Sequence, residues 1–140
     1  MTSLLARTLG PGRAALLIEF ARFGTVGGIG FIVDNATVYG LRHAVGLYWA
    51  GALAYLTAAT TTWLLNRLWT YRGRGTGAAH RQWALFLATQ LAGFALNRGT
   101  YALLITFVPL TVTYPVLAIA CGTAAGMFVN FHFARSVVFK

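Results

Sequence analysis

The chain has 140 residues, of which 58% are hydrophobic and only 9% charged. A soluble domain carries about 25% charged residues, so this composition excludes one and belongs to a membrane protein. The net charge is +9, from eleven Lys and Arg against two acids. The arginines lie between apolar runs rather than on a solvated face, which points to anionic membrane lipid as partner and away from nucleic acid.

Arg7 and Arg13 precede an apolar run that Glu19 and Arg22 interrupt, and no small-residue cleavage site follows. The N-terminus is therefore expected to be retained rather than cleaved as a signal peptide. Residues 13–22 read as a short helix lying on the membrane surface.

Four apolar runs follow, at about 21–41, 47–68, 83–107 and 114–133. Each is near the ~20 residues that cross a ~30 Å hydrocarbon core. Backbone groups in lipid must be satisfied internally, and continuous runs rather than alternation favour helices. The expected fold is an all-α integral membrane protein, a single membrane domain of four transmembrane helices. Short links are expected at 42–46 and 109–113, and a glycine-rich basic linker at 72–81 divides two hairpins. Arg7, Arg13, Arg22, Arg67, Arg72, Arg74, Arg81, Arg135 and Lys140 fall on one side of this scheme, and only Arg42 lies in the opposite loops. By the positive-inside rule both termini and the middle loop are cytoplasmic.

The hairpins, about 21–72 and 83–139, resemble each other. A shift of 63 carries Phe23 onto Phe86, Gly30 onto Gly93, and Asp34-Asn35 onto Asn97-Arg98. A shift of 68 carries Trp63 onto Phe131, Arg67 onto Arg135 and Tyr71 onto Phe139. Two parallel hairpin repeats are expected, and transporter sites often lie where repeats meet.

Asp34 and Arg98 are the charges inside spans. Each sits about three residues outward of its span's centre, roughly 4–5 Å past the midplane at a ~1.5 Å rise. Intramembrane charges usually face a bundle interior and pair. The two read as a headgroup pathway, with Arg98 meeting a phosphate, or as a structural salt bridge. Asn35 and Asn97 beside them hydrogen-bond either sugar hydroxyls or neighbouring helices. Arg67 and Arg135, with Asn66 and Asn130 close in sequence, lie at the inner interface, where arginine binds phosphate oxygens bidentately. For Arg72, ordinary anchoring on bulk lipid is the simpler reading. Gly24-x-x-x-Gly28 and Gly122-x-x-x-Gly126 permit close helix approach. Thr57, Thr60, Thr61 and Thr62 return hydroxyls to their own backbone. Trp49, Trp69 and Trp83 read as interface anchors. Cys121 reads as a small buried hydrophobe, and His43, His80 and His132 form no ligand set. No metal or cofactor motif is present. With two acids and no phosphate-binding Gly-rich loop, enzymatic sugar transfer and ATP-driven pumping are not expected.

Three stretches together resemble the GtrA family of small four-span membrane proteins. They are RFGTVGGIGFIVDNATVYGL at 22–41, TTWLLNRLWTYR at 61–72 and VNFHFARSVVF at 129–139. Tyr71 stands where the family has Phe, and Ala134 where it often has a second Asn. The resemblance implies movement of a polyprenyl-phosphate-linked sugar from the inner to the outer leaflet of the cytoplasmic membrane, for cell-wall or surface polysaccharide synthesis. It also implies a separate membrane glycosyltransferase as partner. The alternative is a non-transporting anchor for that enzyme. Four short helices give a narrow bundle, so a homo-oligomer, most simply a dimer, is expected. A small cation-drug exporter fits poorly, because Arg98 suits a cation badly and those proteins carry little charge bias.

Overall fold

A computed structural model describes residues 2–75 and 77–140, and for residues 2–5 the backbone alone. Among the described residues the chain is helical throughout, with no strand. Helix α1 is Thr2–Leu9, α2 is Pro11–Leu65, α3 is Ala79–Phe107, α4 is Pro109–Thr113 and α5 is Pro115–Phe133. Two five-residue π-helical turns, Asn66–Thr70 and Ala134–Val138, prolong α2 and α5. The chain forms two compact units, Met1–Thr76 and Gly77–Lys140.

In the first unit, α2 is not one straight rod. At Gly46 the backbone leaves helical geometry (φ 80°, ψ 165°), a conformation that side chains with a Cβ rarely adopt. The chain folds back there. The hydroxyls of Thr37 and Thr57 lie 3.3 Å apart, Gly30 faces the methyl of Thr62, and the Arg22 guanidinium stands 5.6 Å from the Trp69 ring centre. These contacts run in opposite directions from Gly46, as an antiparallel hairpin requires. Fully buried Val26, Ala50 and Ala54 lie in this unit's core. Small residues there let helices approach closely, which is the main source of packing energy when the surroundings are as apolar as the core.

Residues 42–45, expected as part of a link, are helical up to Gly46. Residues 13–22, expected as a separate surface helix, belong to α2 and continue its line. The break lies earlier, at Gly10 (φ 83°), between α1 and α2.

In the second unit α3 packs against α5. Gly93 faces the Asn130 side chain, and a Cβ on Gly126 would meet the Gly93 carbonyl at 2.8 Å. A Cβ on Gly122 would meet the Asn97 carbonyl at 2.6 Å. Gly122 and Gly126 therefore form the inner seam of this hairpin, as small-residue spacing predicts. Gly28 has open space around its Cα. The link at 109–113 is a short helix, α4, and Thr111 fixes it by donating to the Leu104 carbonyl at 2.7 Å. Cys121 is exposed on α5, which corrects the buried reading. It neighbours the seam residue Gly122 but faces outward.

Large apolar side chains cover the outside of both units. Phe31 is 71% exposed, Tyr48 95%, Leu103 61% and Phe107 73%. A soluble monomer seldom exposes such continuous apolar surface, whereas lipid accepts it. Two segments, Pro11–Thr70 and Pro115–Val138, are long and apolar enough to cross a membrane. Helix α3 is long enough, but Gln90, Asn97 and Arg98 dilute its apolar character.

Candidate functional site

Each hairpin ends in the same local structure. In a π-helical turn one extra residue widens the helix, and such turns are frequent at functional sites. The Tyr71 N–H donates to the Asn66 carbonyl at 2.8 Å, and the Phe139 N–H to the Ala134 carbonyl at 2.8 Å. Tyr71 (φ −115°, ψ 34°) and Phe139 (φ −113°, ψ 40°) close their turns with nearly equal backbone angles. Both aromatic residues are buried. Arg67 and Arg135 each occupy the second residue of a turn.

The first turn opens into a basic cavity of about 340 Å³, lined by Arg67, Leu68, Arg72, Gly73, Arg74 and Gly75. Local chain geometry explains why the arginines gather. Arg67 extends from the widened turn, with its guanidinium 5.8 Å from the Trp63 ring centre. Beyond Tyr71 the chain reverses through Gly73 (φ 80°) and Gly75 (φ 81°). The Arg74 N–H donates to the Tyr71 carbonyl at 2.9 Å, and its guanidinium lies 5.2 Å from the Tyr71 ring centre. Arg74 Nη1 also donates to Glu19 Oε1 at 2.9 Å. Three cationic side chains thus share one cavity at the C-terminal end of a helix. Helix-end carbonyls favour cations there, and guanidinium groups bind phosphate oxygens.

Behind this cavity the turn buries polar groups. Asn66 is 1% and Thr70 6% exposed. The Asn66 Oδ1 and Thr70 Oγ1 atoms have no hydrogen-bond partner among the described residues.

The remaining sequence-predicted residues fall in different settings. Asp34 is half-buried on α2, and the Asn35 amide donates to the Phe31 carbonyl at 2.8 Å, so one of its donors serves its own helix. Asp34 and Asn35 belong to the first unit. Asn97 and Arg98 belong to the second, where Asn97 lies in the α3–α5 seam against Gly122 and Gly126. Arg98 is exposed, with its guanidinium 5.5 Å from the Phe94 ring centre. Asn130 lies against Gly93, with its Oδ1 buried and without a hydrogen-bond partner among the described residues. Asn130 is therefore inside the α3–α5 seam, a full turn before the π-helical turn that carries Arg135. In the 68-residue register the partner of Asn130 is Thr62, and the partner of Asn66 is Ala134. The two asparagines that flank the arginines in sequence are not equivalent in place.

Sequence reasoning missed Glu19, Arg74 and the cavity itself. The available signal was faint: Glu19 is one of only two acids, and it lies where an apolar helix would favour none. Among the described residues, no three His, Cys, Asp or Glu side chains gather to hold a metal.

Lipid-facing helices closed by small residues, with arginines at one end, define an all-helical membrane protein. Residues 22–139 match the family described as GtrA/DPMS, transmembrane domain, and the chain belongs to that family. Its membership places it among proteins of lipid-linked sugar handling. A search of curated proteins finds no match to the chain.

Proposed function

We propose that the protein moves a polyprenyl-phosphate-linked sugar from the inner to the outer leaflet of the cytoplasmic membrane. The observation that carries this reading is the arginine-lined cavity at the end of the first hairpin, in a chain of this family. Under the positive-inside rule this end faces the cytoplasm, at the depth of lipid phosphates. Arg67 and Arg72 engage the phosphate, and Arg135 holds the matching place within the second turn. The arms of α2 on either side of Gly46, together with α3 and α5, make four spans, as two parallel hairpins with both termini cytoplasmic. Exposed apolar residues on all four arms support this.

The headgroup then passes Asp34, Asn35, Asn97 and Arg98, while the polyprenyl tail stays in lipid. Arg98 meets the phosphate. The chain performs no bond chemistry and needs no cofactor. A membrane glycosyltransferase makes the lipid-linked sugar it carries, and a second copy of the chain widens the pathway. The product is consumed in surface polysaccharide or cell-wall synthesis.

The test is leaflet translocation of a polyprenyl-phosphate sugar in proteoliposomes, comparing wild type with Asp34→Asn and Arg98→Gln, each verified as folded. Translocation by the wild type that both substitutions abolish supports the pathway. No translocation above protein-free liposomes, with insertion verified, would replace it with an anchoring role for a glycosyltransferase.

A further inference from the structure

Glu19 and Gln82 occupy matching places. Each lies four residues before a buried phenylalanine, Phe23 or Phe86, at the start of its hairpin. Each also ties that start to the closing segment of the same hairpin. Gln82 Nε2 donates to the Val138 carbonyl at 3.4 Å. Glu19 Oε1 accepts from Arg74 Nη1 at 2.9 Å. The second hairpin thus makes its tie with a neutral amide, so the tie itself does not require a charge. The carboxylate at position 19 acts on something else, and the group it touches is a wall of the basic cavity.

With Glu19 absent, three guanidinium charges would line that cavity. Such a site binds the most highly charged phosphate available, because attraction grows with ligand charge. A phosphomonoester carries about −1.5 to −2 near pH 7, and a diphosphate more. A phosphodiester, such as a sugar phosphate esterified to a lipid, carries one charge. A carboxylate at the wall repels the dianion more than the monoanion. Glu19 is 22% and Arg74 35% exposed, so the pair is partly shielded and salt does not fully screen it.

We propose that Glu19 is the specificity-determining residue of the arginine cavity: by neutralising Arg74 it narrows the cavity's preference for a dianionic phosphomonoester over a monoanionic phosphodiester. This rests on the phosphate-binding reading of the cavity given above. It means that a lipid-linked sugar phosphate competes better for the site against the free lipid phosphate left after the sugar is removed.

The experiment is calorimetric binding of dibutyl phosphate and monobutyl phosphate to the full chain in phosphatidylcholine nanodiscs, at pH 8 and fixed ionic strength. Wild type is expected to favour the monoester over the diester only weakly, because two of the three arginines remain unneutralised. Glu19→Gln, which installs the amide the second hairpin already uses, should tighten the monoester roughly three- to thirty-fold and the diester less. Glu19→Asp should keep the wild-type order. Arg74→Gln should shift the ratio the opposite way, toward the diester, and the Glu19→Gln/Arg74→Gln double variant, which removes both charges of the pair, should keep the wild-type ratio; a shift of the double variant toward the diester would overturn the proposal if Glu19→Gln alone does not fold. An unchanged monoester-to-diester ratio in a folded Glu19→Gln protein would overturn the proposal while leaving the cavity a phosphate site. If wild type binds neither probe more tightly than an Arg67→Gln/Arg72→Gln double variant, the phosphate reading falls and the inference with it.

Discussion

The two hairpins use one backbone plan for different chemistry. Each ends in a π-helical turn closed by a buried aromatic residue, and each sets a glycine against a side chain of the facing arm. At the closing end the first hairpin has Glu19, Asn66, Thr70 and Tyr71 where the second has Gln82, Ala134, Val138 and Phe139. In mid-hairpin the trend reverses: Thr62 covers Gly30, whereas Asn130 covers Gly93. The seam of the first hairpin thus holds threonine hydroxyls and that of the second holds asparagine amides, while buried polar side chains in the closing turns are found at Asn66 and Thr70 of the first. The shared turn supplies position, and the side chains decide which groups are presented there.

The comparison is broken most severely at the seam glycines. Gly93→Val would drive a side chain into Asn130 and into an α5 that approaches at backbone distance, as Gly126 shows. The expected loss is about 3 kcal/mol or more, beyond ordinary overpacking, read as a collapsed melting transition of the purified protein. Gly30→Val should be milder, about 1–2 kcal/mol, because the Thr62 methyl is the end of a side chain that can rotate away. Equal losses at the two glycines would mean that the seams are alike. Gly46→Ala forces a Cβ into a backbone (φ 80°, ψ 165°) that essentially only glycine adopts, at about 1–3 kcal/mol. Gly46→Asn should lose about as much in the same melting assay, because asparagine tolerates the left-handed helical region and not the extended ψ of 165° found at Gly46. Tyr71→Phe copies Phe139 and should have the smallest effect, under about 1 kcal/mol, while Phe139→Tyr places a hydroxyl into the Phe86 contact, whose ring centres are 6.1 Å apart, and should cost more.

Much of this was readable from the residues. Helical arms, a break near Gly46 and the close approach at Gly122 and Gly126 follow from apolar run length, glycine chemistry and small-residue spacing. The closing motifs at 61–72 and 129–139 were visible as matched strings, though not as π-helical turns. A single added residue per turn changes hydrogen-bond partners without changing composition. Glu19 and Arg74 lie 55 positions apart, and only the fold-back at Gly46 brings them together. Read along the chain, Glu19 merely interrupts an apolar run. Asn130 lies close to Arg135 in sequence, yet helical geometry turns it onto Gly93, a placement that sequence distance does not reveal.

The asymmetry between the closing turns has one direct test. Translocation of a polyprenyl-phosphate sugar would be measured in proteoliposomes for Arg67→Gln and Arg135→Gln, matched for folded protein and orientation. Arg67 shares its cavity with Arg72 and Arg74, so its loss should slow translocation by roughly tenfold or more, the scale of a lost charge-assisted contact of about 1.5–3 kcal/mol. Arg135→Gln should slow it several-fold less. Equal losses, or a larger loss at Arg135, would contradict the assignment of the loading site to the first hairpin.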